Sequence, residues 1–330
     1  MTIDLTDTTT GAIDQALTEA RRRLGGMTLG MVLTLIIVTD EAAQYDAIRA
    51  ANQAAREHPC RILAVIARRP KGDSRLDAEI RVGEVSPGET IVLRMYGPLG
   101  QHADSVVAPL LVPDVPVVTW WPDEAPETPA KHPLGTLAQR RVTDSAASEE
   151  PHEVLAALAE GYQPGDTDFG WTRATPWRSL LAATLDQPHP LITAGEVAAE
   201  LDNPTADLIA AWLSLRLSVP VARTVSAGPG ITGVTFTTPD GDIKITRPDG
   251  RTATLSWPGQ TDRRVALHRR DTAELLAEEL RRLDPDEVYA ETLSHVDVAE
   301  LPDVGEDAAE ESAEESAVEA VDEVAEEYGE

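Results

Sequence analysis

Cysteine is almost absent from this chain. Cys60 stands alone, which excludes an internal disulfide and any cysteine cage for a metal. Beside an apolar run, it reads as a small buried hydrophobe. Aromatic residues make up only 4% of the sequence, so its cores must be packed from Ala, Leu, Val and Ile. Lysine is limited to Lys71, Lys131 and Lys244, and no Lys or Arg follows Arg282. Long apolar runs are missing too. The longest, Met31 to Val38, is about half of what a membrane span needs. Arg21–Arg23 are followed by Gly-Gly-Met-Thr rather than by an apolar signal segment. The expectation is a soluble, cytoplasmic protein.

Signatures of catalysis are equally sparse. There is no phosphate-binding G-x-x-x-x-G-K-[ST] loop, no G-x-S-x-G nucleophile elbow and no H-E-x-x-H zinc motif. The seven histidines show no ligand-like spacing. Gly228, Gly230 and Gly233 fit G-x-G-x-x-G, but a dinucleotide site needs a helix after the glycines, and here a strand-like run follows. The stretch reads as a glycine-rich hairpin loop. No cofactor or metal is expected.

What the chain has in excess is acid. Its formal net charge is −29, a surface that repels nucleic acid and anionic lipid. The Ala/Glu/Ser-rich end, residues 297–330, lacks the apolar bulk for a core and reads as a disordered acidic tail.

Hydrophobic content of 42% over 330 residues is enough for two cores. The apolar run Leu29–Val38, a helical segment capped by Thr39 and Asp40 and running to about Glu57 with Ile48, Ala51 and Ala55 on one face, and Arg61–Ala67 form a βαβ unit with parallel strands. Ala78, Ile80 and Val82, a Ser86-Pro87 turn, and Ile91, Leu93 and Met95 predict a hairpin, hence a mixed sheet. A helix through Val106, a strand at Val115–Trp120, a proline-rich loop from Pro122 to Pro133, a short strand at Arg140–Thr143 and helices at Glu153–Glu160 and Trp177–Leu185 complete an N-terminal α/β domain, residues 1–189.

Leu191–Leu201 is ambiguous between a strand and a helix capped by Thr193 and Glu196, and the strand is preferred. Asn203-Pro204 starts a helix. Runs at Val219–Val225, Val234–Thr238, Asp242–Thr246, Thr252–Trp257 and Arg263–Leu267 alternate at period two, with Pro-Asp-Gly turns at 239–241 and 248–250, and predict an antiparallel meander. Asp271 and Glu274 have capping-box spacing for a helix, and Asp286 to Leu293 predicts a second, short one. These elements make a smaller α+β domain, residues 190–296.

One region stands out. Trp120-Trp121-Pro122-Asp123 falls where a strand ends, and open α/β sheets bind ligands at the carboxyl ends of their strands. His132, Arg140, Arg141, Asp144 and Ser145 can converge there, and arginines suit a phosphate or carboxylate. Trp171, Arg173, Trp177 and Arg178 form a second cluster of the residue types that dominate protein interfaces. The plainer alternative packs a tryptophan under the loop and leaves the arginines solvated or paired with nearby acids.

Several stretches in order resemble a known family: Asp7-Thr-Thr-Thr; Met27-Thr-Leu-Gly-Met-Val-Leu-Thr-Leu; Glu57-His-Pro-Cys-Arg; Pro116-Val-Val-Thr-Trp-Trp-Pro; Arg140-Arg-Val-Thr-Asp-Ser; Trp171-Thr-Arg-Ala-Thr-Pro-Trp-Arg; and Ala206-Asp-Leu-Ile-Ala-Ala-Trp. Over nearly the whole chain up to about residue 295 it is similar to the glucose-6-phosphate dehydrogenase assembly protein family, OpcA, of actinobacteria and cyanobacteria, and within it to the actinobacterial type. The resemblance implies a noncatalytic role, assembly and allosteric activation of glucose-6-phosphate dehydrogenase, which feeds the oxidative pentose phosphate pathway and NADPH supply. With Cys60 alone, the paired-cysteine regulation linked to cyanobacterial relatives cannot operate. The expected contact surface comprises Trp120, Trp121, Pro122, Asp123, His132, Arg140, Arg141, Trp171, Arg173, Trp177 and Arg178. The competing reading is a sugar-phosphate sensor or enzyme with its site near Trp121 and Arg140.

Overall fold

The computed structural model describes residues 1–23, 30–67, 72–83 and 88–296. The expected Ser86-Pro87 turn and the acidic tail lie outside them. The chain forms two compact units, Met1–Pro188 with His268–Val296, and His189–Leu267.

The first unit begins with β1 (Thr2–Leu5), α1 (Thr10–Arg23), β2 (Leu33–Thr39), α2 (Gln44–Ala54) and β3 (Cys60–Ala67). It continues through β4 (Arg75–Val82), β5 (Glu89–Tyr96), α3 (Ala103–Val107), β6 (Val117–Trp120), β7 (Arg140–Thr143), α4 (Pro151–Gly161), β8 (Asp166–Asp168) and α5 (Phe169–Leu185). Its eight strands lie in the order β1-β4-β5-β3-β2-β6-β7-β8. The six from β5 to β8 are mutually parallel, while β4 and β1 run antiparallel at one edge. The chain winds outward from β2 in both directions, so the strand order reverses between β2 and β6.

Alternation on β2 explains its central place. Leu33, Leu35 and Ile37 pack with Ile62, Ala64, Ile48 and Ala51 on one face of the sheet. Ile36 packs with Leu63, Val65, Ile91 and Ile13 on the other. A strand buried on both faces is apolar nearly throughout, and each buried apolar side chain contributes roughly 1.5–3 kcal/mol. Helix α2 starts later than expected. Asp40 first holds a turn, its Oδ1 accepting the N–H groups of Ala42 and Ala43, both at 2.8 Å.

Helix α5 is longer than the Trp177–Leu185 segment read from periodicity. It begins eight residues earlier because Asp168 caps it, accepting the Gly170 N–H at 2.8 Å. Asp168 Oδ2 also accepts the Ser145 N–H and the Thr143 hydroxyl, so one buried carboxylate fastens β7, β8 and α5 together.

The second unit contains β9 (Ala194–Ala199), α6 (Pro204–Leu217), β10 (Val221–Val225), β11 (Ile231–Thr237), β12 (Ile243–Thr246), β13 (Thr252–Ser256) and β14 (Arg263–Ala266). The Asn203 side chain caps α6 by accepting the Ala206 N–H. The meander is real for β11 through β14, which pair antiparallel in sequence order. It does not extend to Val219–Val225: β10 pairs parallel with β9 at the sheet edge, as a βαβ crossover through α6. The glycine stretch therefore joins two strands that flank β9, and it is not a hairpin loop.

The chain then returns. Helices α7 (Thr272–Arg281) and α8 (Glu287–Leu293) follow the second unit in sequence but belong to the first. Asp271 and Glu274 form the expected capping box on α7. Its apolar face, Leu275, Leu276 and Leu280, joins the core of α2, Trp120 and Phe169. The linear division at 190–296 is corrected accordingly, because that apolar stripe finds its partner on α2. No helix among the described residues is long and apolar enough to cross a membrane.

Two buried groups yield predictions. Burial pushes the Cys60 thiol up to about 12, so iodoacetamide at pH 8 should leave the native chain unlabelled and modify it only once urea unfolds it. Burial alone would raise the Glu89 carboxyl, but Arg21 and Arg61 hold it below its ordinary value. Their nitrogens lie 2.5–3.0 Å from its oxygens. A carboxyl lowered by folding contributes stability that is full above the unfolded value, about 4.3, and lost as pH falls through the folded one. Glu89→Gln should lower the urea-unfolding free energy by roughly 3–5 kcal/mol at pH 7, and it should flatten the acid limb of the stability curve.

Candidate functional site

Strands β2, β6, β7 and β8 end side by side; Trp120 and Trp121 lie at that end, whereas Arg140 and Arg141 open β7 at its other end and do not converge on the strand ends as expected. Trp120 and Trp121 close β6 and are 1% and 2% exposed. Trp120 packs against Phe169. The edge of His132 meets Trp121, and its Nδ1 accepts the Leu134 N–H, while burial lowers its pKa. Pro122 and Asp123 are half-buried, with Asp123 accepting the Thr39 hydroxyl at 3.2 Å.

The arginines are buried and engaged. On β7, Arg140 donates through Nε and Nη2 to Glu279 of α7, at 3.0 and 2.5 Å, and through Nη1 to the Asp284 carbonyl. Glu279 completes its set by accepting the Thr172 hydroxyl at 2.6 Å. Arg141 pairs with Asp166 and donates to the Ala138 and Pro164 carbonyls. Gly165 permits this close turn: its φ is +98°, and a Cβ there would lie 2.3 Å from the Gln139 carbonyl oxygen.

On α5, Arg173 forms a bidentate pair with Asp144, both contacts at 2.6 Å. Arg178 lies over the Trp171 ring with its guanidinium carbon 3.6 Å from the centroid. The Trp171 indole donates to Asp286, the cap of α8, at 2.9 Å. Trp171 and Trp177 are each 2% exposed.

These contacts correct the expected contact surface. Trp121, Trp171, Trp177, Arg140 and Arg141 form the inside of the unit and present almost no area to a partner, while Trp120, equally buried, meets the outside only at the wall of a cavity. The plainer alternative describes them better, since the arginines pair with nearby acids and the tryptophans pack. Of the expected surface, Pro122, Asp123, His132, Arg173 and Arg178 keep partial exposure.

Sequence reasoning missed the cavity beside them. It measures about 550 Å³ and sits where the strand order reverses, between α2 and the start of α7. Trp120, Pro122 and Asp123 line it together with Asp46, Asp144 and Asp271. Asp40 was legible only as a helix cap, yet its carboxylate occupies the N–H groups of the turn from β2 to α2. A doubly wound sheet presents such groups to a ligand's phosphate. Burial raises the Asp123 carboxyl, and the charges of Asp40, Asp144 and Glu124 raise it further, against the Thr39 hydrogen bond. The local potential is therefore negative and unsuited to an anion. Among the described residues no cluster of His, Cys, Asp and Glu is arranged to hold a metal.

Truncating one partner of the Arg140–Glu279 pair strands the other charge in the core, a loss of roughly 3–5 kcal/mol. Glu279→Ala should show that loss in chemical denaturation. Arg140→Met combined with Glu279→Leu should recover most of it.

Two family models match most of the chain. They are the glucose-6-phosphate dehydrogenase subunit N-terminal domain, over residues 51–160, and the C-terminal domain of the same subunit, over residues 164–293. A comparison with curated proteins gives no match. Among solved structures, similarity extends to a 3-ketoreductase from Actinomadura kijaniata in complex with NADP and TDP-benzene, at 13% identity and a TM-score of 0.47, over 81% of this chain and 95% of that one. A dehydrogenase from Clostridium difficile aligns at 6% identity and a TM-score of 0.40, over 79% and 95%. With both halves of the family pattern present in order, the chain belongs to the OpcA family of glucose-6-phosphate dehydrogenase subunits.

Proposed function

We propose that this chain is a noncatalytic assembly factor and allosteric activator of glucose-6-phosphate dehydrogenase, acting in the cytoplasm and supporting the oxidative pentose phosphate pathway and its NADPH supply. Family membership supplies the partner. The observation that carries the noncatalytic part is the Asp40 turn, where a carboxylate of the chain itself takes the N–H groups that a nucleotide phosphate would need.

The competing reading, a sugar-phosphate sensor or enzyme near Trp121 and Arg140, requires guanidinium groups free to bind an anion. Arg140 and Arg141 instead spend their donors on Glu279, Asp166 and three backbone carbonyls. An anion entering there would have to displace buried ion pairs, which is costly.

An activator works by binding the active form of its partner more tightly than the inactive one. A tenfold activation needs about 1.4 kcal/mol of difference between the two affinities. A single well-packed interface residue can supply that much.

Purified dehydrogenase titrated with this chain should show a saturable rise in activity and co-elution in gel filtration, while the chain alone turns over no substrate. No change in dehydrogenase activity together with separate elution would remove the proposal. Thermal melting of the chain alone should not shift with glucose 6-phosphate, 6-phosphogluconate or NADP. A saturable stabilisation would favour the sensor instead.

A further inference from the structure

The carboxyl edge of the first sheet carries more than one acidic hollow. The 550 Å³ cavity at the strand-order reversal adjoins a second, of about 810 Å³, which shares Asp123 and Ala147 with it. Glu124, Glu127, Glu149, Glu150 and Glu153 line the second, and no cation does. In the first, Arg49 is paired with Asp46 on the surface. A hydrogen bond with Glu153 and the charges of Glu153 and Glu149 raise the Glu150 carboxyl above its ordinary value.

An independent feature marks the first cavity. Trp120, in its wall, is 1% exposed, and its indole N–H has no hydrogen-bond partner. Buried donors are nearly always satisfied, so an orphan at a cavity wall points to an acceptor that arrives with a ligand. The occupant must then bring positive charge for the carboxylates and an acceptor for the indole. A metal ion or a polyamine brings only the first. An extended protein segment brings both, with Arg or Lys side chains for the acids and main-chain carbonyls for Trp120.

We propose that this pair of cavities docks a basic, extended segment of the partner dehydrogenase, with Trp120 donating to its backbone and the Asp123–Glu153 acids receiving its Arg or Lys side chains. The proposal rests on the reading of the chain as a dehydrogenase partner and names the surface that makes the contact. Opposed charges of this density also speed encounter, and they do so less as salt rises.

The test is calorimetric titration of the full chain with purified glucose-6-phosphate dehydrogenase. The groove variant is Glu124→Lys with Glu149→Lys and Glu153→Lys, all exposed positions. The control, Asp4→Lys with Asp14→Lys and Glu19→Lys, makes the same charge change at exposed positions on β1 and α1. Affinity should fall at least about tenfold for the groove variant and less than about twofold for the control. Trp120→Phe keeps an aromatic six-membered ring, removes the donor and should cost about fivefold, with unchanged circular dichroism.

Unaltered affinity in the groove variant or in Trp120→Phe overturns the docking proposal, as does an equal loss in the control. Displacement of the dehydrogenase by micromolar spermine would assign the cavities to a free polyamine and overturn it as well. If the unsubstituted chain fails to bind the dehydrogenase at all, the functional reading itself falls. That outcome is distinct from binding that ignores the groove.

Discussion

The contact between Arg140 and Glu279 ties together segments that the sequence keeps 139 residues apart. It joins strand β7 of the first sheet to a helix synthesised after a whole second unit. Around it, Thr172 anchors α5 to the same carboxylate, and Trp171 reaches α8 through Asp286. An isolated charge in this environment would be expensive. The pair is tolerable because both fork positions of the arginine and both oxygens of the glutamate are hydrogen-bonded. The pair adds a polar tie to the apolar packing of α7 on α2.

The same design that uses arginines internally places carboxylates at the strand ends. Asp40, Asp123 and Asp144 converge where an α/β sheet of this winding ordinarily receives an anion. All three have duties to their own chain: Asp40 holds the α2 turn, Asp123 accepts the Thr39 hydroxyl, and Asp144 clamps Arg173. A fold suited to binding phosphate is thus turned by a few carboxylates into one that repels it. This inversion is consistent with a chain whose business is with another protein.

Local patterns in the sequence read well wherever the determinant is local. The doubly buried strand at Leu33–Ile37, the alternating hairpin of β4 and β5, the Asn203-Pro204 start and the Asp271/Glu274 capping box all follow from spacings of two to four residues. What failed was non-local. Nothing in the local sequence says that Arg140 will meet Glu279 or that α7 will leave the second unit. Four tryptophans in short polar motifs read as surface anchors because residue type alone does not report burial. The edge pairing of β10 was missed for a similar reason: alternation identifies a strand but not its neighbour. Asp40 was visible as a cap, while its position at the reversal of strand order emerged only from the sheet.

The return of α7 and α8 has a consequence for how the molecule comes into being on the ribosome. Met1–Pro188 emerges first, with Arg140, Trp171 and the apolar side of α2 still uncovered. The ribosome must then add all of His189–Leu267 before the covering helices exist, which takes on the order of ten seconds at ordinary elongation rates. The nascent first unit therefore waits, incomplete and sticky, for a covering that arrives last. Chaperone occupancy during translation should concentrate on that interval, and a prematurely terminated chain would carry a permanently open flank.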